Sequence, residues 1–310
     1  MNFLLIIIGL VLLIFGGNWL LKSAVALSLK LNISKVVIGM TVVSFATSAP
    51  ELIVSINAAL NGSSDLALGN VIGSNIANLG LVLGITLLLG AMEVSKGFYK
   101  LDWPVMMIAS ALLFLFLSND NIITQFEGIL LFSFLVIFLI YLLKTQKNEI
   151  PDEVSENETP LSASKTTLFF ILGGLGLWGG SELLIKGATS LAQDFGVTER
   201  VIGVTIISIG TSIPELAASI IAVVKKEKAI SLGNLIGSNI FNILAVLGIT
   251  SIITPISLSD QRLLTSDIYW MLGISFIVLP LVFIPKKFNL TWKEGSLLLI
   301  GYCIFIYQTL

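Results

Sequence analysis

The chain contains no histidine and one cysteine, Cys303. Without histidine there is no imidazole proton relay, no histidine-ligated zinc and no serine–histidine triad. A lone cysteine excludes an intramolecular disulfide and a cysteine metal cluster, so Cys303 reads as a packing residue in the last apolar run. Charge is scarce too. Asp, Glu, Lys and Arg make up 12% of 310 residues, against 55% hydrophobic residues and a mean hydropathy of +0.99. That balance is far too apolar for a soluble domain of this length and indicates a polytopic membrane protein.

Ten apolar runs are each long enough to cross about 30 Å of hydrocarbon as a helix: 3–21, 36–60, 66–91, 102–118, 124–143, 166–185, 200–224, 230–254, 266–284 and 293–309. The first reads as a transmembrane helix. Ser23-Ala24-Val25-Ala26 loosely resembles a signal-peptide cleavage site, but no basic residue precedes the run and its counterpart near 167–185 is internal. Sorted by loop, 14 Lys residues fall on one side of the membrane, and Lys186, Arg200 and Arg262 on the other. The positive-inside rule then places both termini outside. Residues 145–165, with Glu149, Asp152, Glu153, Glu156 and Glu158, read as an acidic cytoplasmic linker between halves 1–144 and 166–310. No EF-hand spacing occurs in it, so a solvated tether is the reading.

The halves are copies. Gly39-Met40-Thr41-Val42-Val43-Ser44-Phe45-Ala46-Thr47-Ser48-Ala49-Pro50-Glu51 returns 164 residues later as Gly203-Val204-Thr205-Ile206-Ile207-Ser208-Ile209-Gly210-Thr211-Ser212-Ile213-Pro214-Glu215. Across 39–84 and 203–248, 23 of 46 positions are identical. Five spans per copy is an odd number, so the second copy enters the membrane from the opposite face, and the fold expected is all-α with ten transmembrane helices in two inverted repeats. In transporters that symmetry puts the substrate site near the midplane, on interrupted helices.

Of 19 acids, only Glu51 and Glu215 lie well inside spans. A charge at that depth costs on the order of 3 kcal/mol, and no Lys or Arg lies inside a span to offset it. Either both carboxyls are protonated, or a cation that is not part of the chain neutralises them. The neighbours favour a metal cation: at helical spacing Ser44, Thr47, Ser48, Glu51 and Ser55 form one polar stripe, and Ser208, Thr211, Ser212, Glu215 and Ser219 its twin. Pro50 and Pro214 lack the N–H that would bond the carbonyls of Ala46 and Gly210, freeing main-chain oxygens to face a cavity. The next helix of each copy aligns Asn70, Ser74 and Asn78, or Asn234, Ser238 and Asn242, on one face. Asn70, Asn75, Asn234 and Asn239 fit helix-to-helix hydrogen bonds as well as ligation. Glu182 and Lys186, four apart near a helix end, are expected to form an ion pair; Lys225, Lys226 and Lys228 read as topology signals touching anionic lipid.

An all-oxygen site with two carboxylates is the ligand set of a hard cation. Calcium neutralises two glutamates alone, whereas sodium must bind at least twice, which is a basis for exclusive occupancy and exchange. Gly-Thr-Ser-x-Pro-Glu, complete at Gly210–Glu215 and with Ala46 in place of glycine in the first copy, and Gly-Asn-x-x-Gly-Ser-Asn at Gly69–Asn75 and Gly233–Asn239, resemble the two alpha-repeats of the calcium/cation antiporter superfamily. The sodium/calcium exchanger branch fits best. The resemblance covers nearly the whole chain.

It implies a multi-pass transporter of the cell membrane, not an enzyme, with calcium and sodium as substrates, the bilayer as surroundings, and no cofactor, nucleic acid or protein partner. It further implies a central calcium site of Glu51 and Glu215 with main-chain oxygens of Thr47 and Thr211. Sodium sites would flank it, using Ser48, Ser74, Ser212 and Ser238 with the carbonyls of Ser44 and Ser208, while Asn78 and Asn242 face the middle. Some relatives, including potassium-dependent ones, carry aspartate where this chain has Asn242, and proton-coupled relatives carry glutamate where it has Gly73 and Gly237. These departures favour sodium over potassium or proton coupling. The alternatives are a proton/calcium antiporter and, from another class, a cation channel.

Overall fold

The computed structural model describes residues 2–145, 161–195 and 208–309. Most of the acidic linker and residues 203–207 of the second motif lie outside them. The described chain is helical: α1 (Asn2–Leu31), α2 (Lys35–Thr47), α3 (Ala49–Leu60), α4 (Ser64–Leu89), α5 (Phe98–Asp120), α6 (Gln125–Thr145), α7 (Ala163–Asp194), the single turn α8 (Ser208–Gly210), α9 (Ile213–Val224), α10 (Lys228–Ile253), α11 (Leu263–Phe283) and α12 (Trp292–Thr309). Among the described residues, seven helices are long and apolar enough to cross a membrane, or eight if the bent pair α2–α3 is one span. Of the other two expected spans, residues 200–207 of run 200–224 lie outside the described residues and the rest of that run forms α8 and α9. α12 carries Lys293 and Glu294 in its first turn and reaches Gln308, which dilute its apolar middle.

Burial sorts the spans into centre and rim. The apolar windows of α4 and α10 are each 78% buried, whereas those of α1, α6 and α7 are only 28–33% buried and face outward. α1 packs along α7 through glycines: a Cβ on Gly16 would lie 2.7 Å from the Leu177 nitrogen, and one on Gly180 would lie 2.9 Å from the Gly9 carbonyl oxygen. Only small residues permit that approach, which replaces the hydrophobic driving force missing between helices in lipid.

α4 and α10 run antiparallel. Asp65 at the start of α4 accepts from the Ser259 and Asp260 N–H groups beyond the end of α10, at 2.8 and 3.2 Å. At the other end, Lys228 Nζ at the start of α10 donates to the Ala91 carbonyl beyond α4, at 2.7 Å. Both helices carry a π-helical turn in the same register, Asn78–Val82 and Asn242–Leu247. Such turns are uncommon in helices and concentrate at functional sites.

Four two-residue strands tie the copies together: β1 (Met92–Glu93) pairs with β4 (Asn289–Leu290), and β2 (Ile122–Ile123) with β3 (Ile256–Ser257), both antiparallel. After β2 and β4 the next helix starts on a capping box, Thr124 with Glu127 and Thr291 with Glu294. In each the threonine N–H donates to the glutamate Oε2, at 2.8 and 2.6 Å.

Among the described residues the ion pair is Lys35 with Glu227, at 2.9 Å, joining α2 to the turn before α10. Glu182 and Lys186 do not pair as their spacing suggested. Both lie on the lipid-facing α7, where an i,i+4 pair gains only a few tenths of a kcal/mol and side-chain entropy competes.

Candidate cation site

Each copy breaks its motif helix at the serine before x-Pro-Glu. α2 and α3 meet at 44° across Ser48, whose backbone (φ −85°, ψ 2°) is matched by Ser212 (φ −88°, ψ 3°). Proline suits the second position of the restarted helix, where its missing N–H has no intrahelical acceptor. Two main-chain bonds span the first break, Ser48 N–H to Ser44 O (2.9 Å) and Leu52 N–H to Ser48 O (3.2 Å). No main-chain bond reaches the Ala46 and Thr47 carbonyls across it. In the second copy one freed carbonyl is taken: Gly210 O accepts the Ser181 hydroxyl of α7 at 2.9 Å. That bond corrects the expectation that both proline turns release this oxygen to a cavity.

Glu51 and Glu215 therefore occupy the first turns of α3 and α9, where the partial positive charge of a helix start favours a carboxylate. Both are fully buried, and they lie close enough for their charges to repel. Among the described residues none of their four carboxylate oxygens has a hydrogen-bond partner, and neither do the hydroxyls of Ser48 and Ser212 or the amide oxygens of Asn78 and Asn242. These eight buried oxygens come from residues that match at the offset of 164. One unsatisfied buried polar atom costs roughly 1–3 kcal/mol, so a set of eight favours a partner from outside the chain, an ion or ordered water.

The remaining hydroxyls bridge the copies. Thr47 Oγ1 lies 3.3 Å from Ser238 Oγ and 3.2 Å from Asn234 Oδ1, while Ser74 Oγ lies 3.2 Å from Thr211 Oγ1. Thr47, Ser48 and Ser238 stand beside the Glu215 carboxyl. No group of three or more His, Cys, Asp or Glu occurs among the described residues, so the fixed negative charge here is that of two carboxylates. Oxygen donors and a charge of two suit one divalent or two monovalent hard cations.

The outer asparagines resolve as helix-to-helix contacts. Asn70 Nδ2 donates to Ser55 Oγ at 3.0 Å and Asn234 Nδ2 to Ser219 Oγ at 3.5 Å, so the two stripe serines also take part in helix-to-helix contacts. The Ser44 hydroxyl donates to the Gly39 and Asn234 carbonyls, both at 2.9 Å, and the Ser44 carbonyl accepts the Ser48 N–H at 2.9 Å and the Thr47 hydroxyl at 3.4 Å. Ser208 opens α8, and its side chain lies outside the described residues. Sequence reasoning missed Ser181 because its counterpart at the same offset is Gly17, so no repeat flags it.

The copies differ at two matched glycine pairs, Gly69 with Gly233 and Gly73 with Gly237, the second of each pair being pressed against α2. A Cβ on Gly237 would meet the Ser44 hydroxyl and lie 2.6 Å from the Met40 backbone, whereas one on Gly73 would meet nothing within 4 Å. α10 is thus pressed against α2, and Gly237 has no space for a side chain.

The family model described as sodium/calcium exchanger protein matches residues 1–144 and 165–310. The chain belongs to the sodium/calcium exchanger family. It is 38% identical to CaxA of Alkalimonas amylolytica, whose name proposes an antiporter, over 97% of this chain and 96% of that one. It is 31% identical to the sodium/calcium exchanger MaX1 of Methanosarcina acetivorans, over 98% and 97% of the two chains. Its fold matches a structure of the sodium-calcium exchanger NCX_Mj soaked with Na+ and Ca2+, with a TM-score of 0.83 and 26% identity, covering 99% of this chain and 97% of that one. The exchanger is therefore a multi-span membrane protein of a cation antiporter family, one of transporters and not of catalysts.

Proposed function

We propose that this exchanger is a secondary antiporter of the cell membrane that moves calcium out of the cytoplasm against inward sodium by alternating access. The observation that carries this is the set of unpartnered buried oxygens on Glu51, Glu215, Ser48, Ser212, Asn78 and Asn242. Calcium sits between Glu51 and Glu215 with the carbonyls of Thr47 and Thr211. Sodium takes the flanking oxygens of Ser48, Ser74, Ser212 and Ser238 with the carbonyls of Ser44 and Ser208, and the amides of Asn78 and Asn242 face the middle.

One calcium neutralises the two carboxylates and so do two sodium ions, but both together overfill the site, and this exclusion couples the two fluxes. Movement of net charge follows if more than two sodium ions exchange per calcium. The halves 1–144 and 166–310 are inverted five-span repeats joined by the cytoplasmic linker 145–165, with both termini outside. The antiparallel course of α4 and α10 and the reciprocal strand pairing support that symmetry.

The test is flux in proteoliposomes with sodium, potassium and proton gradients imposed singly. Calcium uptake driven by a sodium gradient alone is expected. Uptake driven only by a pH gradient transfers the coupling to protons, and flux that needs no counter-ion makes the protein a channel.

A further inference from the structure

The two amides that face the middle of the site pose a chemical question. An asparagine side chain presents an acceptor oxygen on one edge and a donor NH2 on the other, in nearly the same shape. Only the oxygen can meet a cation; a flipped amide would point partial positive charge at it. Something must hold the oxygen edges of Asn78 and Asn242 inward.

The hydrogen bonds around Asn75 and Asn239 do this. Asn75, fully buried on α4, donates its Nδ2 to the main-chain carbonyl of Asn239 on α10 at 3.2 Å, and Asn239 Nδ2 donates to the Asn75 carbonyl at 3.3 Å. A main-chain carbonyl only accepts, so each of these two amides is obliged to turn its NH2 edge toward the opposite backbone. A methionine sulfur, Met271 for Asn75 and Met106 for Asn239, lies on the same NH2 edge at 3.8 and 3.9 Å. The Oδ1 of each is left on the other edge, where it in turn demands a donor. Asn242 Nδ2 supplies one to Asn75 Oδ1 and Asn78 Nδ2 supplies one to Asn239 Oδ1, both at 3.1 Å. With their NH2 edges engaged, Asn242 and Asn78 have their oxygens free, and those are the amide oxygens without a partner.

We propose that Asn75 and Asn239 are crossed positioning residues, each setting the amide orientation of the other copy's site asparagine: Asn75 holds the Asn242 oxygen toward the cation and Asn239 holds that of Asn78. Direction runs from a backbone carbonyl that cannot be reversed, through one amide, to a second amide. The oxygen lining of one half is thereby dictated by the other half, across the contact between α4 and α10. The inference rests on the cation site proposed above, and adds to it how two of its ligands are oriented.

Calcium binding by the detergent-purified full-length chain, measured by titration calorimetry, tests this in a double-mutant cycle. Loss of one hydrogen bond that selects the orientation, in Asn75→Leu, is expected to weaken calcium roughly tenfold. A carboxylate at position 242 presents oxygen on both edges, needs no orienting partner and sets an oxygen against the Asn75 Oδ1, so in the Asn242→Asp background the same Asn75→Leu change is expected to leave calcium affinity unchanged within about twofold or to raise it. An equal loss in both backgrounds would mean that Asn75 is only a packing residue, and an undiminished affinity in Asn75→Leu alone would equally overturn the proposal. If Asn75→Leu is not recovered folded, Asn239→Leu with and without Asn78→Asp runs the same cycle from the other copy. Failure of the unsubstituted protein to bind calcium removes the site reading itself; normal binding with no background dependence removes only the positioning role.

Discussion

Thr47 Oγ1 lies 3.3 Å from Ser238 Oγ, so the last residue before the break in one copy touches the centre of the long buried helix of the other. Ser74 and Thr211 repeat the contact from the opposite direction at 3.2 Å. The Glu215 carboxyl consequently sits beside hydroxyls from both copies, Thr47 and Ser48 of the first and Ser238 of the second, so neither half alone supplies its surroundings. A relative shift of the two halves must remake these contacts, which gives alternating access a structural place to act.

Glu51→Gln and Glu215→Gln each remove half of the site's charge while keeping its shape. Breaking a buried, charge-compensated arrangement costs about 3–5 kcal/mol, so calcium affinity is expected to fall by more than about a hundredfold in either variant. Calorimetric titration checks this; affinity within tenfold of the unsubstituted protein would remove that glutamate from the centre.

Calcium should also stabilise the fold, because it supplies the partner that the eight buried oxygens lack. At calcium a hundred times its dissociation constant the expected gain is about 2.7 kcal/mol, read as a rise in thermal unfolding temperature in detergent. Glu51→Gln should lose most of that rise.

Sodium is expected to displace calcium with a Hill coefficient above 1, because at least two sodium ions are needed to balance both carboxylates. The measurement is calcium release followed against sodium concentration at constant ionic strength. A strictly hyperbolic curve would contradict the charge argument.

Gly73→Ala and Gly237→Ala are identical changes at matched positions with opposite surroundings. The Gly237 substitution forces a methyl group into the Met40 backbone and the Ser44 hydroxyl, at an expected cost of about 1–3 kcal/mol. The Gly73 substitution has open space and gains helix propensity, so it should be neutral or stabilising by up to about 1 kcal/mol. Thermal unfolding of the pair side by side reads the difference, and equal effects would argue against the tight contact between α2 and α10.

Much of the site was legible in the residues because the repeat made it so. Glu51 and Glu215 stood out as the acids inside spans, Pro50 and Pro214 marked the helix breaks, and Ser48 and Ser212 followed from helical spacing; in the structure the carboxylates and hydroxyls of these residues are buried without a partner. The count of ten spans is met in part: among the described residues seven or eight helices are long and apolar enough to cross a membrane. Residues 200–207 of the seventh expected span lie outside the described residues, and α12 is more polar than the run expected there. Capping boxes at Thr124 and Thr291 were visible as Thr-x-x-Glu, yet they merge into long apolar runs where hydropathy alone is read. Ser181 carried no signal, and the Glu182–Lys186 spacing carried a misleading one, because exposure decides whether such a pair forms.

The residues alone determined that the chain lies in a membrane, is built twice, and carries two acids without an internal counter-charge, since composition, repetition and charge count are properties of a string. Tertiary structure decided which oxygens are spoken for. Ser44, Ser55 and Asn70 share the helical stripes with Ser48, Glu51 and Asn78, yet the hydroxyls of Ser44 and Ser55 are bonded to groups on a neighbouring helix, whereas the Ser48 hydroxyl, the Glu51 carboxylate oxygens and the Asn78 amide oxygen have no partner. Spacing along a helix tells which side chains share a face. Only the helix packed against that face determines whether a donor or acceptor is already waiting there: for Ser44 that helix belongs to the other copy, and for Ser55 to its own.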